Sequence, residues 1–262
     1  MQMKTRLIVI LTAMLAALVA PKAQAWGNCR LTAERAAGIN TAGATKIVIR
    51  AGAGDLEIRG LANTTRLEAR GGACASSQAL LDAIRLNVRR EGDVIFVETD
   101  LPQYDLGNIT MGNGDNAYLN LGVALPNNIA VEGLDSSGDA TIFDVASLEF
   151  QDSSGDFTAR SIAGAVSLQD SSGDLLVEDV GSARVVDSSG DIRIRGVKGD
   201  AIVVSDSSGD IRLSKVDGNA VVEVDSSGSI EAEDIGGSFT VGADGSGEIS
   251  YVRVAGGVTV PD

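Results

Sequence analysis

The chain has no histidine, only two cysteines and four prolines, and nine aromatic residues among 262. Without histidine it lacks the commonest general base and the commonest metal-ligating side chain. Two cysteines are too few for a cysteine-based zinc site. Basic residues are scarce as well, 21 Lys and Arg against 36 Asp and Glu, a formal charge of −15. That balance argues against binding a phosphate backbone, which requires a basic face. Glycine, by contrast, is plentiful at 32 residues, but without the strict triplet period of collagen. At 44% apolar and 22% charged residues, the composition fits a packed, acidic, turn-rich globular protein.

Only one long apolar run stands out. Residues 7–20 form a stretch of 14 after the positive Lys4 and Arg6, and Ala23-Gln24-Ala25 follows in A-x-A form. This pattern predicts a secretory signal peptide over residues 1–25, cleaved before Trp26. The run is shorter than the roughly 20 residues that span a bilayer. Trp26-Gly27-Asn28 ahead of Cys29 does not form a lipobox, no later stretch is apolar enough to cross a membrane, and residues 259–262 show no anchor. The expectation is an exported soluble protein, in the periplasm, at the cell surface or secreted. Loss of the leader removes Lys4, Arg6 and Lys22, leaving 18 bases against 36 acids, a net −18.

Export permits a disulfide, and Cys29 and Cys74 are the candidate pair. Closing so long a loop stabilises by about 4 kcal/mol in the chain-entropy model. A redox pair is the alternative, but the spacing is not C-x-x-C and no Lys or His lies nearby in sequence. A structural bridge is the favoured reading.

The dominant signal is internal repetition. Asp-Ser-Ser-Gly-Asp occurs at Asp135–Asp139, Asp152–Asp156, Asp170–Asp174, Asp187–Asp191 and Asp206–Asp210. Degenerate copies follow at Asp225–Ser229 and Asp244–Glu248, with steps of 17, 18, 17, 19, 19 and 19 residues. A partial copy, Gly52-Ala53-Gly54-Asp55, precedes them.

Register after the motif is more telling than the motif itself. The first residue beyond each copy is Ala140, Phe157, Leu175, Ile192, Ile211, Ile230 or Ile249. The third is Ile142, Ala159, Val177, Ile194, Leu213, Ala232 or Tyr251, and the sixth is Val145, Ile162, Val180, Val197, Val216, Ile235 or Val254. Between the first two columns lie mostly polar residues: Thr141, Thr158, Leu176, Arg193, Arg212, Glu231 and Ser250. Period-2 alternation of this kind predicts a short strand with one buried face. Five copies then carry glycine two residues past the third column (Gly164, Gly199, Gly218, Gly237, Gly256), and a second apolar strand leads into the next motif, as in Ile202-Val203-Val204.

A unit this short cannot bury its own apolar face, but stacked copies can. The fold class predicted is therefore all-β: a single-domain parallel β-solenoid (β-helix) of 17–19-residue coils, from about Thr45 to Val260. At about 4.8 Å per coil, the six steps between motifs rise roughly 29 Å. A sandwich or barrel of antiparallel hairpins is the rival, and identical columns at one repeat length favour stacking. Residues 26–134 are expected to form an N-terminal β region that caps the solenoid, and residues 135–262 the repeats proper. In the cap region, residues 46–50, 56–58, 84–88 and 94–97 read as strands and Glu91-Gly92-Asp93 as a turn. Residues 76–83 read as a short helix capped by Ser76 or Ser77. The Asn- and Gly-rich stretch from Tyr104 to Tyr118 reads as a surface loop.

Tandem S-G-D-[IL]-x-[VIL] units after a leader, with the lead-in Val-Ala-Leu-Pro-Asn-Asn-Ile-Ala-Val-Glu-Gly at Val123–Gly133, resemble the DUF4097/DUF2807 "putative adhesin" β-strand-repeat family. The resemblance is best over about Leu121–Val260 and extends more weakly to Thr45. It implies a β-helix-like fold in an exported bacterial envelope protein, and brings no catalytic residues with it.

Chemistry, if any, resides in the repeated turns. Asp and Ser side chains hydrogen-bond to turn backbone and Gly supplies positive φ, so Asp135, Asp139, Asp152, Asp156, Asp170, Asp174, Asp187, Asp191, Asp206, Asp210, Asp225 and Asp244 read first as a structural ladder. The alternative is cation binding. Like charges stacked about 4.8 Å apart repel by about 0.9 kcal/mol per pair even in bulk water, and calcium would relieve this. Paired carboxylates also suit glycoside hydrolysis, but catalysis needs one unique site and this pair recurs in nearly every coil. Arg160, Arg193, Arg195 and Arg212 could line a face for an anionic polymer, or neutralise neighbouring acids such as Glu178, which is the reading preferred. No enzyme, cofactor or nucleic-acid partner is expected. The functional expectation is a non-catalytic, adhesin-like or structural envelope protein with an unidentified envelope or surface partner. The alternative is a calcium- or ligand-binding periplasmic module.

Overall fold

The computed structural model describes residues 29–102 and 114–261. The expected signal peptide and residues 104–113 of the expected loop lie outside the described residues.

Strands β1 (Leu31–Asn40), β2 (Lys46–Arg50), β3 (Leu56–Leu61) and β4 (Arg66–Ala75) precede the one helix among the described residues, α1 (Gln78–Ala83). Then come β5 (Arg85–Glu91), β6 (Val94–Asp100), β7 (Ala117–Pro126), β8 (Ala130–Leu134) and β9 (Ala140–Phe143). The repeats continue as β10 (Leu148–Gln151), β11 (Phe157–Arg160), β12 (Ala165–Gln169), β13 (Leu175–Val180), β14 (Ser182–Val186) and β15 (Ile192–Val197). The last are β16 (Ala201–Ser205), β17 (Ile211–Val216), β18 (Ala220–Asp225), β19 (Ile230–Ile235), β20 (Phe239–Asp244), β21 (Ile249–Val254) and β22 (Val258–Thr259).

These strands form two facing sheets of 11 strands each. From β8 onward, even-numbered strands build one sheet and odd-numbered strands the other, each pairing in parallel with its counterpart one coil away. Pairing steps reproduce the motif steps: Ala140 faces Phe157, which faces Leu175, then Ile192, Ile211, Ile230 and Ile249. The protein is a parallel β-solenoid, as the columns predict. Inward residues of the two sheets meet in one continuous core from Ile47 to Val241. Phe150 and Phe157 pack within it at 4.9 Å between ring centroids.

The stack does not follow chain order at its N-terminal end. The β2–β3 coil lies between the β6–β7 coil and the β8–β9 coil. Antiparallel strands close that end, with β4 and then β1 beyond β7 in one sheet and β5 beyond β6 in the other. Helix α1, whose N-cap Ser77 accepts the Leu80 amide at 3.4 Å, adds Leu80 and Leu81 to a small second core with Ala73, Ile84 and Leu119. Arg35 of β1 donates to the carbonyls of Leu81 and Ile84 (2.8 and 2.9 Å) and ties the helix end to the outermost strand.

Two expectations need correction. Ala117 and Tyr118 belong to β7 and not to a loop, because they pair with β4 across the cap. The third-position column is buried in six coils, but Tyr251 in the last is 50% exposed. No further coil of the described residues covers it.

Candidate functional site

Each Asp-Ser-Ser-Gly-Asp motif turns the chain from one sheet to the other. Its glycine sits at positive φ in every copy, from +117° at Gly138 to +156° at Gly247. Stacking these corners creates two aspartate ladders of different character.

The last aspartate of each motif lies on the outside and bridges coils. Its Oδ1 accepts the backbone N–H of the same position one coil on: Asp139 from Asp156 (3.1 Å), Asp156 from Asp174 (3.1 Å), Asp174 from Asp191 (3.0 Å), Asp191 from Asp210 (3.1 Å) and Asp210 from Ser229 (2.9 Å). The ladder extends backwards into the cap. Asp55 of the partial motif accepts from Asp139, and Asn120 accepts from Asp55 at 3.0 Å. Ala53 and Ser137 form a parallel bridge, so the partial copy is the structural neighbour of the first full one. Third-position serines add a parallel set: Ser154, Ser172, Ser189 and Ser227 donate to carbonyls of the preceding corner.

The first aspartate of each motif points inward. Asp135, Asp152, Asp170, Asp187, Asp206 and Asp225 are between 1% and 6% exposed. Neighbouring coils cover these carboxylates from both sides. Asp152 and Asp187 each accept the next serine N–H, at 2.8 and 2.7 Å, through one oxygen. Neither oxygen of Asp135, Asp170 or Asp225 has a well-formed hydrogen bond among the described residues. Burial, reinforced by adjacent aspartates and offset in part by serine N–H groups, pushes these carboxyls up: Asp135 to about 8, Asp170 to about 7, and Asp152 and Asp206 to about 6. Asp187 and Asp225 are raised for the same reason. Asp244, in the last degenerate copy, pairs in register with Asp225.

Such a ladder can hold protons, and its carboxylates, when ionised, repel one another. Among the described residues no group of three or more His, Cys, Asp or Glu side chains is arranged to hold a metal ion. The arginines on the outer sheet face are engaged by neighbouring acids. Arg160 and Arg195 both pair with Glu178, Arg193 with Asp174 and Asp191, and Arg212 with Glu231. Cys29 and Cys74 form the disulfide, with Cα atoms 5.6 Å apart. It fastens the segment entering β1 to β4. No helix among the described residues is long and apolar enough to cross a membrane.

Sequence reasoning missed Asn120 and the inward turn of the first aspartates. The Leu121-to-Leu56 register places Asn120 opposite Asp55, and its amide oxygen does what the outer aspartates do elsewhere.

A family model described as Toastrack DUF4097 matches residues 38–251. A solved Bacteroides fragilis structure, a "putative adhesin", is 14% identical with a TM-score of 0.46, covering 87% of this chain and 97% of that one. A Parabacteroides distasonis "putative lipid binding protein" is 17% identical with a TM-score of 0.39, at 87% and 97% coverage. A Clostridium sporogenes "putative cell adhesion protein" is 12% identical with a TM-score of 0.29, at 88% and 99%. No curated protein sequence matches significantly.

Proposed function

The chain belongs to the Toastrack DUF4097 family, and from that premise we propose that it is an exported, non-catalytic envelope protein, adhesin-like or structural, acting through its repeated lateral surface. The observation that carries this reading is the in-register recurrence of one corner over successive coils. Asp139, Asp156, Asp174, Asp191 and Asp210 set an outward carboxylate at the same corner of successive coils, one strand spacing from the next. Such repetition suits multivalent contact, where weak sites add through effective concentration. Catalysis needs a single preorganised and asymmetric site. The leader pattern and the Cys29–Cys74 bridge favour an oxidising compartment outside the cytoplasm.

The test is a deletion of residues 170–205, which removes two coils and rejoins equivalent motif positions. Binding of the purified protein to isolated envelopes of its own host should fall in a graded way while the solenoid stays folded. Unchanged binding, or a turnover activity abolished by one point substitution, would overturn the reading.

A second reading, a calcium- or ligand-binding periplasmic module, is favoured by one observation: buried carboxylates of successive coils repel one another, and several of their oxygens lack a well-formed hydrogen bond. A divalent cation would offset their repulsion. Calcium at low ionic strength should then raise the melting temperature, and the Asp170→Asn, Asp187→Asn, Asp206→Asn triple variant should lose that rise. No calcium-dependent shift would rule it out.

A further inference from the structure

The two ends of the solenoid are built differently. At the N-terminal end, β1, β4, β5 and α1 close over the core. At the other end, β21 and β22 stop the stack with no covering element among the described residues. Ile249, Tyr251 and Val254 continue columns that are buried in every earlier coil, yet Tyr251 is half exposed and the other two are only partly covered. Val252 beside them is 46% exposed. Repeat arrays need a polar terminal cap at each end to remain separate, and among the described residues covering elements lie at the N-terminal end alone.

Strand direction makes the capped end a fitting partner for the open one. Strand β1 is antiparallel to β4, which is antiparallel to β7, and β7 runs parallel with the rest of its sheet. Two reversals cancel, so β1 runs in the same direction as β21. A copy displaced along the solenoid axis would therefore set its β1 beside β21 as a further parallel strand. Its β5 would meet β22 antiparallel, since β5 opposes its sheet.

Charge points the same way. Residues 29–102 carry 10 bases and 9 acids, whereas residues 114–261 carry 8 bases and 25 acids. The outermost β5 holds Arg85, Arg89 and Arg90 against Glu91, while residues 230–261 hold Glu231, Glu233, Asp234, Asp244 and Glu248 against one base, Arg253, which pairs with Glu233 and Asp234. Unlike ends attract, and two open ends repel. The internal segment 103–113 joins β6 to β7 beside the cap. Its 11 residues reach at most about 40 Å fully extended. The open end lies about eight strand spacings away, roughly 38 Å, so a segment that must return to β7 cannot cover it.

We propose that the open β21–β22 end binds the capped β1–β5 end of a second copy of this chain, head to tail, so that coils continue from one molecule to the next. A heterologous contact of this kind does not close on itself and extends into a linear array. Such stacking is independent of whatever the lateral surface binds.

Sedimentation velocity on the leader-free chain, over a concentration series at low and high salt, reads this directly. Mass should rise with concentration beyond that of two chains, and fall back in high salt. Two variants separate the ends. Ile230 donates to the Glu248 carbonyl, and by ladder alternation the Tyr251 amide faces the free edge, so Tyr251→Pro blocks the open end without removing an internal bond. Thr41 donates to the Thr65 carbonyl, which by the same alternation aims the Ala36 amide outward, so Ala36→Pro blocks the capped end. Each variant alone should be monomeric, and their mixture should stop at a dimer. If Ala36→Pro dimerises alone, the contact is between two open ends and the proposal fails. It fails equally if the folded wild-type chain stays monomeric throughout, a result that does not depend on either variant folding.

Discussion

A Cβ built on Gly190 would lie 1.9 Å from the carbonyl oxygen of Gly173, one coil away. Gly190 also sits at φ +131°, a region that side chains rarely adopt. Steric exclusion and backbone conformation therefore demand glycine independently. Gly190→Ala should destabilise by about 3 kcal/mol or more, combining the strain and packing penalties. Ser188→Ala, on an exposed side chain of the same corner, should stay within about 0.5 kcal/mol. Urea unfolding of both variants checks the contrast, and equal losses would show that corner stacking is not what constrains Gly190.

The inward aspartates should make the protein more stable in mild acid than at neutral pH. Their folded-state carboxyls are raised from an ordinary 3.8 to about 6 at Asp152 and Asp206, about 7 at Asp170 and about 8 at Asp135. The groups around them are Asp55, Asp139, Asp174, Asp210 and Asp244 together with one another, and no cation opposes the shift. Over that interval the folded state binds more protons than the unfolded chain, so stability falls as pH rises. It is fully present below about 4 and lost progressively through about 8. Melting at pH 5 should therefore exceed melting at pH 8, at constant ionic strength. A melting temperature that is flat or rises over this interval would show that the ladder is not buried in charged form.

The two aspartates of one motif should respond oppositely to substitution. Asp174 accepts the Asp191 amide at 3.0 Å, and Asp174→Ala should cost about 1–2 kcal/mol by orphaning that donor. Asp170, neither of whose oxygens has a well-formed hydrogen bond among the described residues, should tolerate Asp170→Asn at pH 8 and even gain stability there. At pH 5, where the carboxyl is already protonated, that gain should vanish. Denaturant curves at both pH values distinguish the ladders, and a large loss in Asp170→Asn at pH 8 would contradict the inward ladder's repulsion.

Much of the architecture was legible because a stacked coil writes itself as columns. Ile142, Ala159, Val177, Ile194, Leu213 and Ala232 are buried where alternation puts them, and motif steps equal pairing steps. The short helix with its Ser77 cap was readable from local chemistry. Non-local facts were not. Nothing near residues 46–61 says that the chain will leave that coil, build a cap, and return on the coil's other side. Strand β1 alternates small residues such as Ala33 and Ala37, too weakly apolar to signal an inward face. In β4 the Gly71-Gly72 pair blurs the pattern that Leu67 and Ala69 begin. Asp-Ser-Ser-Gly-Asp reads as a turn held by its own side chains, and only stacking above and below buries its first aspartate. Tyr251 fits its column by sequence, but a column cannot say which coil is last.

The cap should depend on its disulfide more than the repeats do. Cys29 and Cys74 are separated by 45 residues, and their bridge joins the start of β1's segment to the far end of β4. Breaking it frees the unfolded chain of a loop constraint worth up to about 4 kcal/mol in the chain-entropy model. In the folded molecule it releases the end of the outermost strand, where β1 has hydrogen-bonded neighbours on one side only. The repeat body, with strands paired on both sides over a continuous core, keeps its local contacts. Reduction should therefore lower the melting temperature. Hydrogen exchange should quicken first in residues 31–40 and 66–75, while the amides of β13, β15 and β17 remain protected. Intact mass before and after alkylation must show the bond in protein taken from an oxidising compartment. If reduction leaves the melting temperature and the exchange of β1 unchanged, the bridge does not hold the cap, and the β1–β4 ladder with the Arg35 contacts to α1 suffices.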